Sequence, residues 1–138
     1  MKFYVFLIAL FGLVFAEVKS ISREELTNSR QECLIQNPKA SKYFVNLLNL
    51  EYPDVPEVHS YMDCVADKLG LWDIKTGQPN VERLAALFSV DPNNAEDMDI
   101  INNCVVNSEE AAAHGRPGYL CILHTRLRDN MKKYLVGE

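Results

Sequence analysis

Apolar residues recur every three or four positions along most of the chain from residue 22 onward, which is the spacing of one face of an α-helix. The segment VHSYMDCVADKLG, residues 58–70, is typical, because its apolar residues would form one continuous stripe. Segments rich in proline, glycine and asparagine interrupt the pattern between such stretches. We therefore predict six helices, at about residues 22–36, 40–50, 56–70, 79–89, 95–112 and 119–135.

Residues at the predicted helix ends support these boundaries. Ser22 followed by Glu25 forms a capping box that would open the first helix. Pro56 suits the first position of the third helix, and Gly70 suits the residue just after its end. The chain has no internal repeat, low-complexity segment or convincing strand pattern. The predicted fold class is therefore all-α, a compact domain of about six short helices.

The chain opens with MKFYVFLIALFGLVFA, which has the pattern of a secretory signal peptide. Lys2 precedes an apolar run over residues 3–16 that is too short to span a bilayer. Val14 and Ala16 fit the small-residue positions of a cleavage site, so we predict a signal peptide over residues 1–16; an uncleaved anchor is the alternative. Cleavage leaves residues 17–138 as one domain, which we expect to be secreted into extracellular fluid without stable membrane insertion.

The charge of the chain limits its partners. The formal net charge is −5, and it becomes −6 when Lys2 is removed with the signal peptide. Nucleic acids and anionic membranes both require a basic surface, so we do not expect either as a partner.

Four cysteines remain in the predicted mature chain: Cys33, Cys64, Cys104 and Cys121. An even number of cysteines in an oxidising compartment predicts disulfides. Structural zinc sites usually bring their ligands in close pairs, whereas these cysteines are 31, 40 and 17 positions apart, so zinc is disfavoured. Two disulfides are expected, and the residues alone leave all three pairings open.

The size, helix order and cysteine spacing resemble those of the insect odorant-binding protein family. Members of that family typically have six cysteines, and their second and fifth cysteines pair with each other. With Cys64 as the third and Cys121 as the sixth cysteine, the missing two fall at Ser60, in SYMDC, and at Ala112, in AAHGRPGYLC. The chain therefore resembles the four-cysteine, or C-minus, branch. The resemblance implies the pairs Cys33–Cys64 and Cys104–Cys121. It also suggests that the third helix and the segment before the sixth separate easily to admit a ligand.

The same resemblance implies an internal apolar cavity that binds a small hydrophobic ligand. Apolar residues of the helical stripes are the candidates for its wall, although each could instead be ordinary core: Phe44, Leu48, Tyr61, Val65, Leu84, Leu87, Phe88, Ile101, Val105, Leu123 and Leu127. Tyr61 and His124 could offer a hydrogen bond to the ligand, and His114 could titrate near neutral pH. At the short C-terminus, only residues 134–136 could serve as part of a lid.

No motif of an enzyme is present. The patterns G-x-S-x-G, H-E-x-x-H and the P-loop are missing, and DPNNAEDMDIIN has Glu96 where a calcium loop needs glycine. We expect no catalysis, cofactor or metal.

The predicted function is a secreted carrier of an odorant, pheromone or lipid-like molecule, with a chemosensory receptor and a second copy of the chain as candidate protein partners. The alternatives are a non-olfactory secreted binding protein, salivary, haemolymph or reproductive, and an interaction module without a small ligand.

Overall fold

A computed structural model describes residues 21–107 and 115–136. That part of the chain contains seven α-helices, one 3-10 helix and no strand, which confirms the all-α fold. The helices are α1 (Arg23–Gln36), the 3-10 helix (Pro38–Tyr43), α2 (Phe44–Leu48), α3 (Pro56–Leu69), α4 (Val81–Leu87), α5 (Ala95–Val105), α6 (Gly115–Leu123) and α7 (Leu127–Val136). None of the helices in these two ranges is long and apolar enough to cross a membrane.

The helix ends follow the local sequence signals. Ser22 caps α1 by accepting a hydrogen bond from the Glu25 amide at 3.0 Å. Asn80 and Asn94 cap α4 and α5 in the same way. Gly70 follows α3 with φ +69°, a left-handed conformation that favours glycine.

Three predicted helices differ from the structure in continuity or extent. The stretch predicted as one helix over 40–50 is the 3-10 helix followed by the five-residue α2. The stretch predicted over 119–135 is divided into α6 and α7, because Thr125 forms a local turn: its hydroxyl donates to the Ile122 carbonyl at 2.6 Å and accepts from the Leu127 amide at 3.2 Å. The helix predicted over 95–112 ends at Val105, and its last predicted turn lies outside the described residues.

Two disulfides hold the helices in pairs. Cys33 on α1 is bonded to Cys64 on α3, and Cys104 on α5 is bonded to Cys121 on α6, which is the pairing that the resemblance implies. All four cysteines are used, so none is free to bind zinc. The bonded helices pack side by side, α1 on α3 and α5 on α6, around one continuous apolar core.

The last helix, α7, is fixed across the start of the domain. The Tyr134 hydroxyl donates to the Ile21 carbonyl, and Arg23 Nη2 donates to the Leu135 carbonyl at 3.0 Å. Arg128 Nη2 donates to the Asn49 carbonyl at 2.7 Å. These contacts place Met131 of α7 in the core, where it helps to close the interior.

Candidate functional site

A small cavity lies between α1, α3, α4, α6 and α7, and we call it the chamber. It has a volume of about 20 Å³ and is lined mainly by apolar and aromatic side chains: Leu26, Arg30, Tyr52, Tyr61, Met62, Val65, Leu69, Leu71, Trp72, Leu87, Tyr119 and Met131. This volume is close to what one water molecule requires. A larger molecule can enter only if side chains or helices move.

Two tyrosines, the buried Tyr119 and the half-buried Tyr52, form the polar end of the chamber. The hydroxyl groups of Tyr52 and Tyr119 are hydrogen-bonded to each other at 2.8 Å, and the Tyr119 hydroxyl also donates to Met131 Sδ at 3.7 Å. The rings of Trp72 and Phe88 pack against Tyr119, with centroid distances of 6.1 and 5.8 Å. Both phenols are therefore held in place within an apolar environment, where their hydroxyl groups could form hydrogen bonds with a ligand.

Burial holds these two phenols in their neutral form. It raises the pKa of Tyr52 to about 12, and it raises the pKa of Tyr119 well above its usual value. Desolvation of the charged phenolate is the main cause in both cases. At physiological pH both side chains can therefore donate a hydrogen bond.

We expect the fold to lose stability at alkaline pH for the same reason. An unfolded tyrosine ionises near its ordinary pKa of about 10, whereas Tyr52 stays protonated until about 12. The stabilisation is thus complete below about pH 10 and falls as the pH rises through the folded pKa. Ultraviolet titration of tyrosinate will show a late component near pH 12 that Tyr52→Phe removes. Tyr52 ionising with the exposed tyrosines would contradict this prediction.

Arg30 of α1 places a positive charge beside the chamber. Its Nε donates to the Tyr61 hydroxyl at 3.4 Å, and its Nη2 donates to the Leu47 carbonyl at 2.9 Å. Burial, the largest single influence, acts to lower the pKa of Arg30, but the neighbouring tyrosines, Tyr61 first, together outweigh it and raise the pKa. The guanidinium therefore remains charged.

The same two residues, Arg30 and Tyr61, also border an open groove on the surface, which we call the α1–α2 groove. It has a volume of about 210 Å³ and is otherwise lined by residues of α1 and α2: Thr27, Gln31, Leu34, Phe44, Leu47 and Leu48. Phe44 and Leu48 are 46% and 52% exposed, so the groove presents two large apolar side chains to solvent. Since Arg30 and Tyr61 line both spaces, they form the partition between the chamber and the groove.

The predicted wall residues are divided among three places in the structure. Tyr61, Val65 and Leu87 line the chamber. Phe44 and Leu48 do not face the interior: they lie on the α1–α2 groove, because the short α2 turns Leu47 inward instead. The other six belong to the surrounding buried core and line neither space: Leu84, Phe88, Ile101, Val105, Leu123 and Leu127. Ligand contact by any of the predicted residues stays a prediction.

The sequence analysis names Tyr61 but misses the other polar residues of the chamber, Arg30, Tyr52 and Tyr119. Arg30 had a detectable signal, because it lies four residues after Leu26 and three before Cys33, on the buried face of α1. Tyr52 lies in the turn EYPDVP and had none, since a turn has no periodicity. Tyr119 was placed at the start of a helix, and nothing in its position indicated a partner 67 residues away.

A third space, on the outside of the chamber, lies between α3 and α6. This outer groove has a volume of about 520 Å³, shares Tyr52 and Met62 with the chamber, and includes the exposed His124. Arg116 Nε lies 3.5 Å from an Asp63 carboxylate oxygen, so an ion pair connects the two helices there. Ser60 is exposed on α3, while Ala112 and His114 lie outside the described residues. The predicted opening between these segments therefore stays a prediction.

Within residues 21–107 and 115–136, no three side chains of His, Cys, Asp or Glu gather as metal ligands would. The paired helices, the disulfides and the chamber define a small all-α domain of the ligand-binding type. A model of the PBP/GOBP family matches residues 16–124, and the chain belongs to this family, the insect odorant-binding proteins. Its members are secreted proteins that bind small ligands and are not enzymes, which supports a general role as a small-ligand carrier. No curated protein and no solved structure matches the chain. Membership of the four-cysteine branch stays a prediction.

Proposed function

We propose that the protein is a secreted, non-enzymatic carrier that reversibly binds a small hydrophobic ligand, an odorant, pheromone or lipid-like molecule, in the chamber. The observation that carries this proposal is that Arg30 and Tyr61 line both the chamber and the α1–α2 groove. A movement of these two side chains would join the spaces into one site with largely apolar walls. The predicted signal peptide and the two disulfides support secretion.

The region around the partition is built to change shape locally. Helix α2 has only five residues, and Leu47 is its only buried side chain. By contrast, α1 and α3 are fixed to each other by Cys33–Cys64. We therefore place the opening at α2 and the Tyr61 side chain, with α1 and α3 as the fixed walls.

The expected affinity suits transport and release. A ligand that buries about 250 Å² of apolar area gains about 6 kcal/mol at about 25 cal/mol per Å². Opening the partition and restricting the ligand reduce this gain. Micromolar or weaker binding is the result, which allows a carrier to exchange its ligand.

Trp72 offers a direct test, because it is the only tryptophan of the chain and it lines the chamber. A ligand that enters will change its surroundings, so titration with a panel of volatile and lipid ligands is expected to shift or quench the tryptophan emission in a saturable way. The larger side chain in Val65→Phe fills part of the chamber. It should weaken binding at least about tenfold, which corresponds to about 1.4 kcal/mol of overpacking.

Val106→Phe is the matched control, because Val106 is exposed at the end of α5 and its substitution leaves the chamber unchanged. Equal loss of binding in both variants, or none in either, would contradict a site in the chamber.

One observation favours a second candidate, an interaction module that binds no small ligand. The chamber has a volume of only about 20 Å³, which is too small for an odorant-sized molecule without rearrangement. If no member of the panel changes the Trp72 emission and native mass spectrometry finds no copurified ligand, this second function replaces the first. The tissue in which the protein is expressed separates an olfactory carrier from a salivary, haemolymph or reproductive one.

A further inference from the structure

Arg30 has no carboxylate partner in the part of the chain that the structure describes. Six ion pairs occur there, and none includes Arg30. Among the described residues its only partners are two neutral oxygen atoms, the Tyr61 hydroxyl and the Leu47 carbonyl. A guanidinium presents five N–H donors, so most of its capacity is unused.

Arg83 is another partly buried arginine of this domain, and its hydrogen-bond partners can be compared with those of Arg30. Its Nε donates to the Leu69 carbonyl at 2.8 Å, and its Nη2 lies 3.3 Å from a Glu25 carboxylate oxygen. Arg83 therefore has both a carbonyl and a negative charge, whereas Arg30 has the carbonyl but lacks the negative charge. An unpaired charge in an apolar setting is unfavourable, so a group that neutralises it gains binding energy.

The unused donors of Arg30 are within reach of a ligand. Nη1 has no partner among the described residues, yet every fully buried side-chain nitrogen or oxygen atom there has one, so Nη1 is accessible. Arg30 also borders both the chamber and the α1–α2 groove. A molecule passing from the groove into the chamber must therefore pass the guanidinium.

The neighbouring hydroxyl groups favour an acceptor at the same place. The Tyr61 hydroxyl accepts from Arg30 Nε and makes no other hydrogen bond to the described residues, so its own proton is available. A planar carboxylate can take one hydrogen bond from the guanidinium and one from a phenol, and both are charge-assisted. An ester or alcohol would gain less, and an amine would be repelled.

We propose that the ligand is an amphiphile with a carboxylate head group, bound by Arg30 and the Tyr61 hydroxyl, with its hydrocarbon chain in the enlarged chamber. This inference rests on the proposed function and adds the chemical class of the ligand. Arg30 is then the residue that determines specificity, and the apolar walls contribute affinity without distinguishing head groups. The exposed Phe44 and Leu48 border the groove through which the chain enters.

The test compares a medium-chain fatty acid, its methyl ester and the amine of the same chain length, each competing with a fluorescent probe at neutral pH. The wild-type protein should bind the acid about tenfold more tightly than the ester, and the amine most weakly, because hydrogen bonds to charged groups contribute at least this much. Arg30→Met keeps an unbranched apolar stem and removes the charge, so the acid-to-ester ratio should fall to about one. Tyr61→Phe should lower the ratio in part. Arg83→Met is the matched control and should leave the ratio as in the wild type.

The outcomes separate the two proposals. If the acid and the ester bind equally to the wild-type protein, the carboxylate inference fails and the carrier function stands. If neither ligand binds, the carrier function fails as well. A preference for the acid that persists in Arg30→Met would also overturn the inference. Circular dichroism will show whether each variant is folded; if Arg30→Met does not fold, Tyr61→Phe decides, and an unchanged ratio in that variant overturns the inference.

Discussion

Replacing Cys33 and Cys64 together with serine will lower the free energy of unfolding by about 3.7 kcal/mol and weaken ligand binding. The two cysteines are 31 positions apart, and the stability loss follows from the chain entropy that the crosslink removes from the unfolded state. Binding is affected because Arg30 lies three residues before Cys33 and Tyr61 three residues before Cys64. Each thus lies about one helical turn from the bond, which sets the distance between the two halves of the partition. Denaturant unfolding and probe titration measure the two effects.

The serine pair at Cys104 and Cys121 is the matched control. These cysteines are 17 positions apart, so the same model gives a smaller loss of about 3.1 kcal/mol. Their bond joins α5 to α6 away from Arg30 and Tyr61, and ligand affinity should change less than in the first pair. Equal loss of affinity in both variants would contradict the role we assign to Cys33–Cys64 in positioning the partition.

Gly115→Ala will destabilise the domain by about 1–3 kcal/mol and displace Trp72. A Cβ atom at Gly115 would lie 2.2 Å from Trp72 Cγ, which is far inside van der Waals contact. The Trp72 ring is packed among buried side chains, so it cannot move aside into solvent to relieve the clash. Because Trp72 and Tyr119 line the chamber together, the substitution should also shift the tryptophan emission of the unliganded protein. Thermal unfolding and emission spectra measure both effects.

A double variant tests whether the steric contact with Trp72 causes the loss of stability. In Gly115→Ala with Trp72→Leu, the smaller side chain leaves room for the new methyl group. The double variant should then lose less stability than the sum of the two single variants. Strict additivity would show that the steric contact with Trp72 is not the reason.

Local sequence signals were sufficient for most of the fold. The capping by Ser22, the left-handed Gly70 and the spacing of apolar residues placed α1 and α3 almost where the structure has them. These features depend on residues within four positions of each other, so they can be recognised without the tertiary structure. The prediction of one continuous helix over 119–135 was wrong. The turn at Thr125 depends on hydrogen bonds of its hydroxyl group, and these leave the apolar stripe in the sequence unchanged.

The candidate site was less predictable, for a physical reason. Helical periodicity indicates which side chains point inward, and Val65, Leu87 and Phe88 all do so at least in part. It does not indicate which of them borders a space, because a cavity is the volume that several helices leave between them. Val65 and Leu87 line the chamber and Phe88 does not, although all three belong to equally apolar stripes.

The sequence by itself determined that this is an all-α domain with two disulfides in the insect odorant-binding protein family, since cysteine spacing, caps and periodicity are all properties of the linear chain. Only the tertiary structure decided where a ligand could bind. Tyr52 and Tyr119 meet across 67 positions, and Arg30 meets Tyr61 across 31. These pairs are set by how the helices pack together, and that packing leaves a charged, hydroxyl-lined partition between the chamber and the surface.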